Sequence, residues 1–233
     1  MARRPLQLDL VVRSWGGRRK GAGRKPSPGR RPMPHRRRAS HDPRHPVHVT
    51  LRAAVGLASL RNAAVFAGLE RAFAAASSNG FRLHQFSVQS NHLHLLVEAD
   101  TPTRLTRGVQ GLAVRTAKAI NRVLSRHGSV WTERFHGHAL KTPREVRNAF
   151  VYVLNNVRKH VPGVRGLDPR SSARFFDGWR MAVARLVGRS PVALPRTWLA
   201  AVGWRRRGLI DIDEAPRLVR GGRRRAARPP ASS

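Results

Sequence analysis

The sequence predicts an α+β fold: an antiparallel sheet with helices on one face, flanked by basic disordered termini. Three observations carry this. The chain alternates short strand-like stretches of period two with longer stretches of helical period. Its candidate elements run β-α-β-β-α-β-α. Its two ends are rich in Arg, Gly and Pro and lack the apolar residues from which a core is built.

In chain order, 1–45 reads as a basic Arg/Gly/Pro-rich arm, with GGRRKGAGRKP followed by SPGRRPMPHRRR. Such an arm attracts phosphates without sequence preference, or inserts Arg and Lys into a narrow minor groove. The first strand is PVHVTLRA, 46–53. A helix follows over 61–78, with Val65, Phe66, Leu69, Ala72, Phe73 and Ala76 at helical spacing and Asn79-Gly80 as its stop. FRLHQFSVQ, 81–89, and HLHLLVEA, 92–99, are the next two strands. A long helix over 102–126 turns Leu105, Val109, Leu112, Ile120 and Val123 inward. SVWTERFHGHAL, 129–140, is the fourth strand, and the last helix of the unit spans 143–160. This order is the split βαβ, ferredoxin-like pattern. The remainder, 163–233, is a C-terminal extension that ends in a second basic tail; its irregular pattern leaves open whether it packs on the core.

Composition narrows the partner. Lys and Arg number 46 against 12 acidic residues, a formal charge of +34 spread along the chain of 233 residues, which points to a polyanion. No apolar run approaches the roughly 20 residues of a membrane-spanning helix, so a membrane is not expected as a partner. The stretch after Arg3 and Arg4 is broken by Asp9 and makes a poor signal peptide, so a cytoplasmic location is the default expectation. With no cysteine, only histidines, carboxylates and amides remain to hold a metal ion.

The long helix adds a cationic stripe. Arg104, Arg107, Arg115, Lys118, Arg122 and Arg126 project within a sector of roughly 100°, and no acid interrupts between Thr101 and Gly128. Solvated faces usually mix signs, so the stripe reads as a phosphate-binding track for DNA.

In SNHLHLLVE, 90–98, Leu93, Leu95 and Val97 point to one face and His92, His94, Leu96 and Glu98 to the other. Two imidazoles at i and i+2 on a strand can share one ion, although the same spacing also arises on solvent-facing strands. His136 and His138 repeat it in FHGHAL; they could contact DNA, adjust a metal site or pack beside Phe135. The last helix opens with Thr142 as N-cap, Pro143 at the first position and Glu145 closing a capping box. Val146, Ala149, Phe150, Val153, Leu154 and Val157 form its apolar stripe, and Tyr152, the only tyrosine, lies off that stripe with Asn148, Asn156 and Lys159. That is either an indifferent surface position or a functional one. Asn156, one turn on, offers an amide oxygen that could complete a site with the two histidines.

These residues resemble a known family. SNHLHLLVE is similar to the histidine-hydrophobe-histidine motif of the HUH endonucleases, and AFVYVLNNVRKH to the tyrosine helix of their single-tyrosine transposases. The segment between, RHGSVWTERFHGHALKTPREVRNA, resembles the REP-associated tyrosine transposases, and the likeness runs from near Pro46 to near His160. It implies a catalytic domain over 46–162, with Tyr152 as nucleophile and His92, His94 and Asn156 as ligands of Mg²⁺ or Mn²⁺. Val157 stands where the family often has proline, and Asn155 is a second amide; alignment with Tyr152 at i, i+4 favours Asn156. The implied activity is that of a DNA transposase, a site-specific nickase and strand transferase. It would form a 5′-phosphotyrosine intermediate on single-stranded DNA carrying a hairpin or repeat, acting as monomer or homodimer. Two other readings stay open: a nonenzymatic nucleic-acid-binding protein that keeps the fold, and a zinc hydrolase using His92 and His94 with Glu98.

Overall fold

The computed structural model describes residues 41–132, 134–160, 163–183 and 190–216. The basic arm before residue 41 and the tail after residue 216 lie outside the described residues.

Strand β1, Val47–Arg52, is followed by helix α1, Ala63–Ala74, whose N-cap Asn62 accepts from the backbone N–H groups of Ala64 and Val65. Strands β2, Phe81–Val88, and β3, His92–Ala99, form a hairpin. Helix α2, Pro102–Val123, starts at Thr101 with proline in its first turn. A short strand β4, His136–Ala139, precedes helix α3, Pro143–Leu154. The capping box read from TPRE is formed, with Thr142 Oγ1 accepting from Glu145 N and the Glu145 carboxylate accepting from Thr142 N. Short helices α4, Val157–His160, and α5, Trp198–Ala201, and 3₁₀ turns at Ser172–Phe175 and Gly203–Arg207 complete the described chain.

The four strands pair antiparallel in the order β2-β3-β1-β4, the arrangement expected of a split βαβ unit. Period-two alternation then assigns the faces. Leu93, Leu95 and Val97 of β3 join Val47, Val49 and Leu51 of β1 under α1 and α2, where each fully buried side chain stabilises by about 1.5–3 kcal/mol. A Cβ on Gly108 would come within 2.2 Å of the Phe81 ring, so this glycine lets α2 lie directly on the sheet.

Two expectations are corrected. Helices do not share one face: α1 and α2 do, whereas α3 covers the other, because its own apolar stripe requires a partner and finds Leu96 on the back of β3. The stretch 129–140 is a strand only at its end; before that, Trp131 makes an isolated bridge to Ala53 and its indole N–H donates to Ala113 O.

The C-terminal segment packs on α3. Phe176, Trp179, Leu199, Trp204 and Ile210 are buried with Phe150 and Leu154, and the Phe150 and Trp204 rings stand 5.2 Å apart. Glu98, on the second face, accepts from Arg196 N and from Thr197 N and Oγ1 at 2.7, 3.1 and 2.7 Å. Its carboxylate therefore fastens this segment to the sheet. Among the described residues, no helix is long and apolar enough to cross a membrane.

Candidate active site

The second face of the sheet collects histidines by register. On β1, His48 and Thr50 alternate with the core residues Val47, Val49 and Leu51. Thr50 pairs with His94 on one side and with His136 on the other; His48 pairs with Leu96 and His138; Arg52 pairs with His92. Directly opposed residues share a face, so both H-x-H motifs and His48 stand on one face of the sheet.

The histidine pair of β3 is closely ordered. His92 Nδ1 lies 2.7 Å from Asn91 Oδ1, and His94 Nδ1 lies 3.2 Å from His48 Nε2 and 3.3 Å from Thr50 Oγ1. His92 Nε2 and His94 Nε2 lie 2.9 Å apart, within hydrogen-bond distance of each other. The separation suits two adjacent ligands of one octahedral cation, and partners on the remote ring nitrogens are what orient histidine ligands. His48 is held neutral at ordinary pH: burial chiefly, with His138 nearby, lowers its pKa to about 4.

Tyr152 comes to this pair from α3. Its ring centroid stands 5.0 Å from that of His94 and 5.7 Å from that of His48, and the Lys159 ammonium lies 5.3 Å from the same centroid. The tyrosine thus leaves the apolar stripe to meet the histidine face.

Helix α3 ends at Leu154 instead of running to 160. Asn155 is its C-cap, and Asn156 follows in the turn before α4, so Tyr152 and Asn156 are not on one continuous helix face. Both amides are fully buried. Asn155 Nδ2 donates to Asp211 O and Glu214 O at 3.3 and 2.9 Å, whereas neither amide atom of Asn156 has a partner. Asn155 Oδ1 is likewise buried without a partner, so both residues have an amide oxygen to offer a ligand. Asn156 differs in that its amide nitrogen is unpartnered too, and a buried amide without partners costs about 1–3 kcal/mol. Among the described residues no group of three or more His, Cys, Asp or Glu is placed to hold a metal, and the candidate set is two imidazoles and an amide. Glu98, the carboxylate of the hydrolase reading, is engaged with the C-terminal segment.

The cationic stripe is elsewhere. Arg104, Arg107, Arg115, Lys118 and Arg122 are exposed along α2, on the far side of the sheet from His92 and His94. Arg126 is past the end of the helix and half-buried, donating to Ser129 O at 3.3 Å. Arg71 of α1 extends the stripe, lining with Arg115, Lys118 and Arg122 a groove of about 340 Å³.

The sequence reading did not single out His48, Thr50 or Arg71. The first two were findable: PVHVT places them on the polar side of an alternating strand, as HLH does its own pair. Arg71 became significant only when α1 packed beside α2.

No curated protein matches the chain. A solved structure described as a REP-associated tyrosine transposase bound to a REP hairpin is similar at 17% identity over 60% of this chain and 82% of that one, with a TM-score of 0.49. The family described as "Transposase IS200 like" matches residues 66–156, a span that contains His92, His94, Tyr152 and Asn156. In that span the chain is similar to the IS200-like transposases, in accord with the resemblance drawn from its motifs.

Proposed function

We propose that this protein is a single-tyrosine transposase that nicks single-stranded DNA and rejoins it. The observation that carries the reading is the convergence of His92, His94 and the sole tyrosine on one face of the sheet, from one strand and a helix far from it in sequence. The match to IS200-like transposases over the same residues supports it. DNA is the substrate proposed, in keeping with the charge of +34.

In this reading Tyr152 Oη attacks the scissile phosphorus. The Oη–P bond forms and the P–O3′ bond breaks, the phenol proton is lost, and the departing 3′ oxygen takes up a proton. The 5′-phosphotyrosine link preserves the bond energy, so attack by a 3′-hydroxyl reverses the step. Mg²⁺ or Mn²⁺ would be held by His92, His94 and Asn156 and would supply Lewis acidity at a phosphate oxygen. Asn91, His48 and Thr50 hold the histidine rings in place. Residues 46–162 carry this chemistry in the proposal, the arm over 1–45 gathers DNA, and 163–233 is the C-terminal extension. The α2 stripe holds phosphates away from the cut.

The test incubates the protein with labelled single-stranded DNA from beside its own gene, with Mn²⁺ or with EDTA, and resolves the products by denaturing electrophoresis. A metal-dependent shifted band that vanishes in Tyr152→Phe is expected. Undiminished adduct formation or cleavage by Tyr152→Phe would overturn the assignment. Salt-sensitive binding with no adduct on any hairpin substrate would favour the nonenzymatic reading.

A further inference from the structure

The cavity beside Tyr152 takes no part in the steps above. It measures about 620 Å³, within the range of small-ligand sites, and Tyr152 and His48 form one wall of it. Leu140, Ala149 and Val151, all buried, give it an apolar lining. Three exposed cations also line it: Arg144, Lys159 and, from the C-terminal segment, Arg207.

Two carboxylates also line the cavity, but both are engaged. Glu145 accepts from Lys141 N and Thr142 N at 2.6 and 3.2 Å, and Glu214 pairs with Arg147 through contacts of 2.7 and 2.8 Å. Arg144, Lys159 and Arg207 form no ion pair with a described residue. The cavity therefore combines an apolar lining, two ring systems and three cations in reach of an anion. A nucleotide has the complementary chemistry: a flat base with weakly polar faces, attached to phosphate.

We propose that this cavity holds one nucleotide of the DNA strand next to the phosphate that Tyr152 meets. The base turns out of the stack onto the apolar lining, and the flanking phosphates lie against Arg144, Lys159 and Arg207. Binding it anchors the strand at the nucleophile, which the stripe on the opposite face of the sheet cannot do. The assignment to the cleaved strand rests on the transposase reading; the affinity for a nucleotide does not.

The sole tyrosine makes a direct test possible, since isotope-labelled tyrosine gives one ring resonance, located in the cavity wall. The full-length protein is titrated with deoxynucleoside 5′-monophosphates and, in parallel, with inorganic phosphate. A saturable shift with the nucleotides and none with phosphate is expected, weakened about tenfold in Arg144→Gln/Arg207→Gln. An equal response to phosphate, or an unmoved resonance at saturation with a single-stranded oligonucleotide, would overturn the proposal. Cleavage supplies an independent arm. An abasic residue beside the cut is expected to lower kcat/KM by about 5- to 100-fold. If the adduct forms equally well with an abasic residue on either side, the nucleotide pocket fails and the transposase reading stands. If nucleotides shift the resonance but no adduct ever forms, the transposase reading fails and the pocket stands.

Discussion

His84 is the residue by which strand β2 exceeds its partner: the β2–β3 register shifts between Leu83 and Gln85, leaving His84 as the bulged position. Its ring is 1% exposed, neither nitrogen has a partner, and it stands edge-on to Phe150 with centroids 5.9 Å apart. Burial, opposed in part by the Glu98 carboxylate, lowers its pKa from the ordinary 6.5 to about 4. Between those values the unfolded chain binds a proton that the folded one refuses. Stability is therefore complete above pH 6.5 and falls as pH drops toward 4, by on the order of 3 kcal/mol for such a group. His48 acts in the same direction. Denaturation midpoints measured from pH 7.5 down to pH 4 should show this loss in the wild type and a clearly smaller one in His84→Leu. An identical pH dependence in the two proteins would show that His84 is not its source.

At the scale of the element, the end of α3 separates two neighbouring amides into different roles. Asn155 fastens the chain around Asp211 and Glu214 to the helix, and Arg147 reinforces it by donating to Gly208 O and Leu209 O and pairing with Glu214. The Asn156 side chain has no hydrogen-bond partner in the protein. Asn155→Ala is expected to lower stability by about 1–3 kcal/mol in denaturant while Mn²⁺ affinity changes little. Asn156→Ala should leave stability nearly unaltered and weaken Mn²⁺ binding at least tenfold, read by the free-ion resonance signal in a titration. The reverse pattern would transfer the ligand role to Asn155. The helix period places both residues after Tyr152, but the break at Leu154 depends on contacts with a segment more than fifty residues away, which no local pattern contains.

For the whole molecule, the sheet separates two chemistries. One face carries α1, α2 and an exposed row of cations; the other carries the histidines, Tyr152 and the C-terminal segment. Helix α2 is expected to act on DNA through counterion release, which is sequence-independent and sensitive to salt. Replacing Arg115, Lys118 and Arg122 with Gln should reduce the slope of log affinity against log salt for single-stranded DNA by about 2, from roughly 0.7 per phosphate contact. Fluorescence anisotropy at several salt concentrations measures this slope, and an unaltered value would exclude the stripe as a phosphate track.

Much of this was legible in the chain itself. Strand alternation, helix period and the Asn62, Thr101 and Thr142 caps determine the elements, because each depends on residues only a few positions apart. The parity change between Leu83 and Phe86 even marks the bulge at His84. The H-x-H strand and the lone tyrosine likewise mark the candidate site. Tertiary structure alone decided that α3 crosses the second face, that His48 and Thr50 stand behind His94, and that the C-terminal segment closes over α3. Those outcomes depend on cross-strand register and on burial between distant segments, where the gain in free energy comes from surfaces that meet only after the chain has folded.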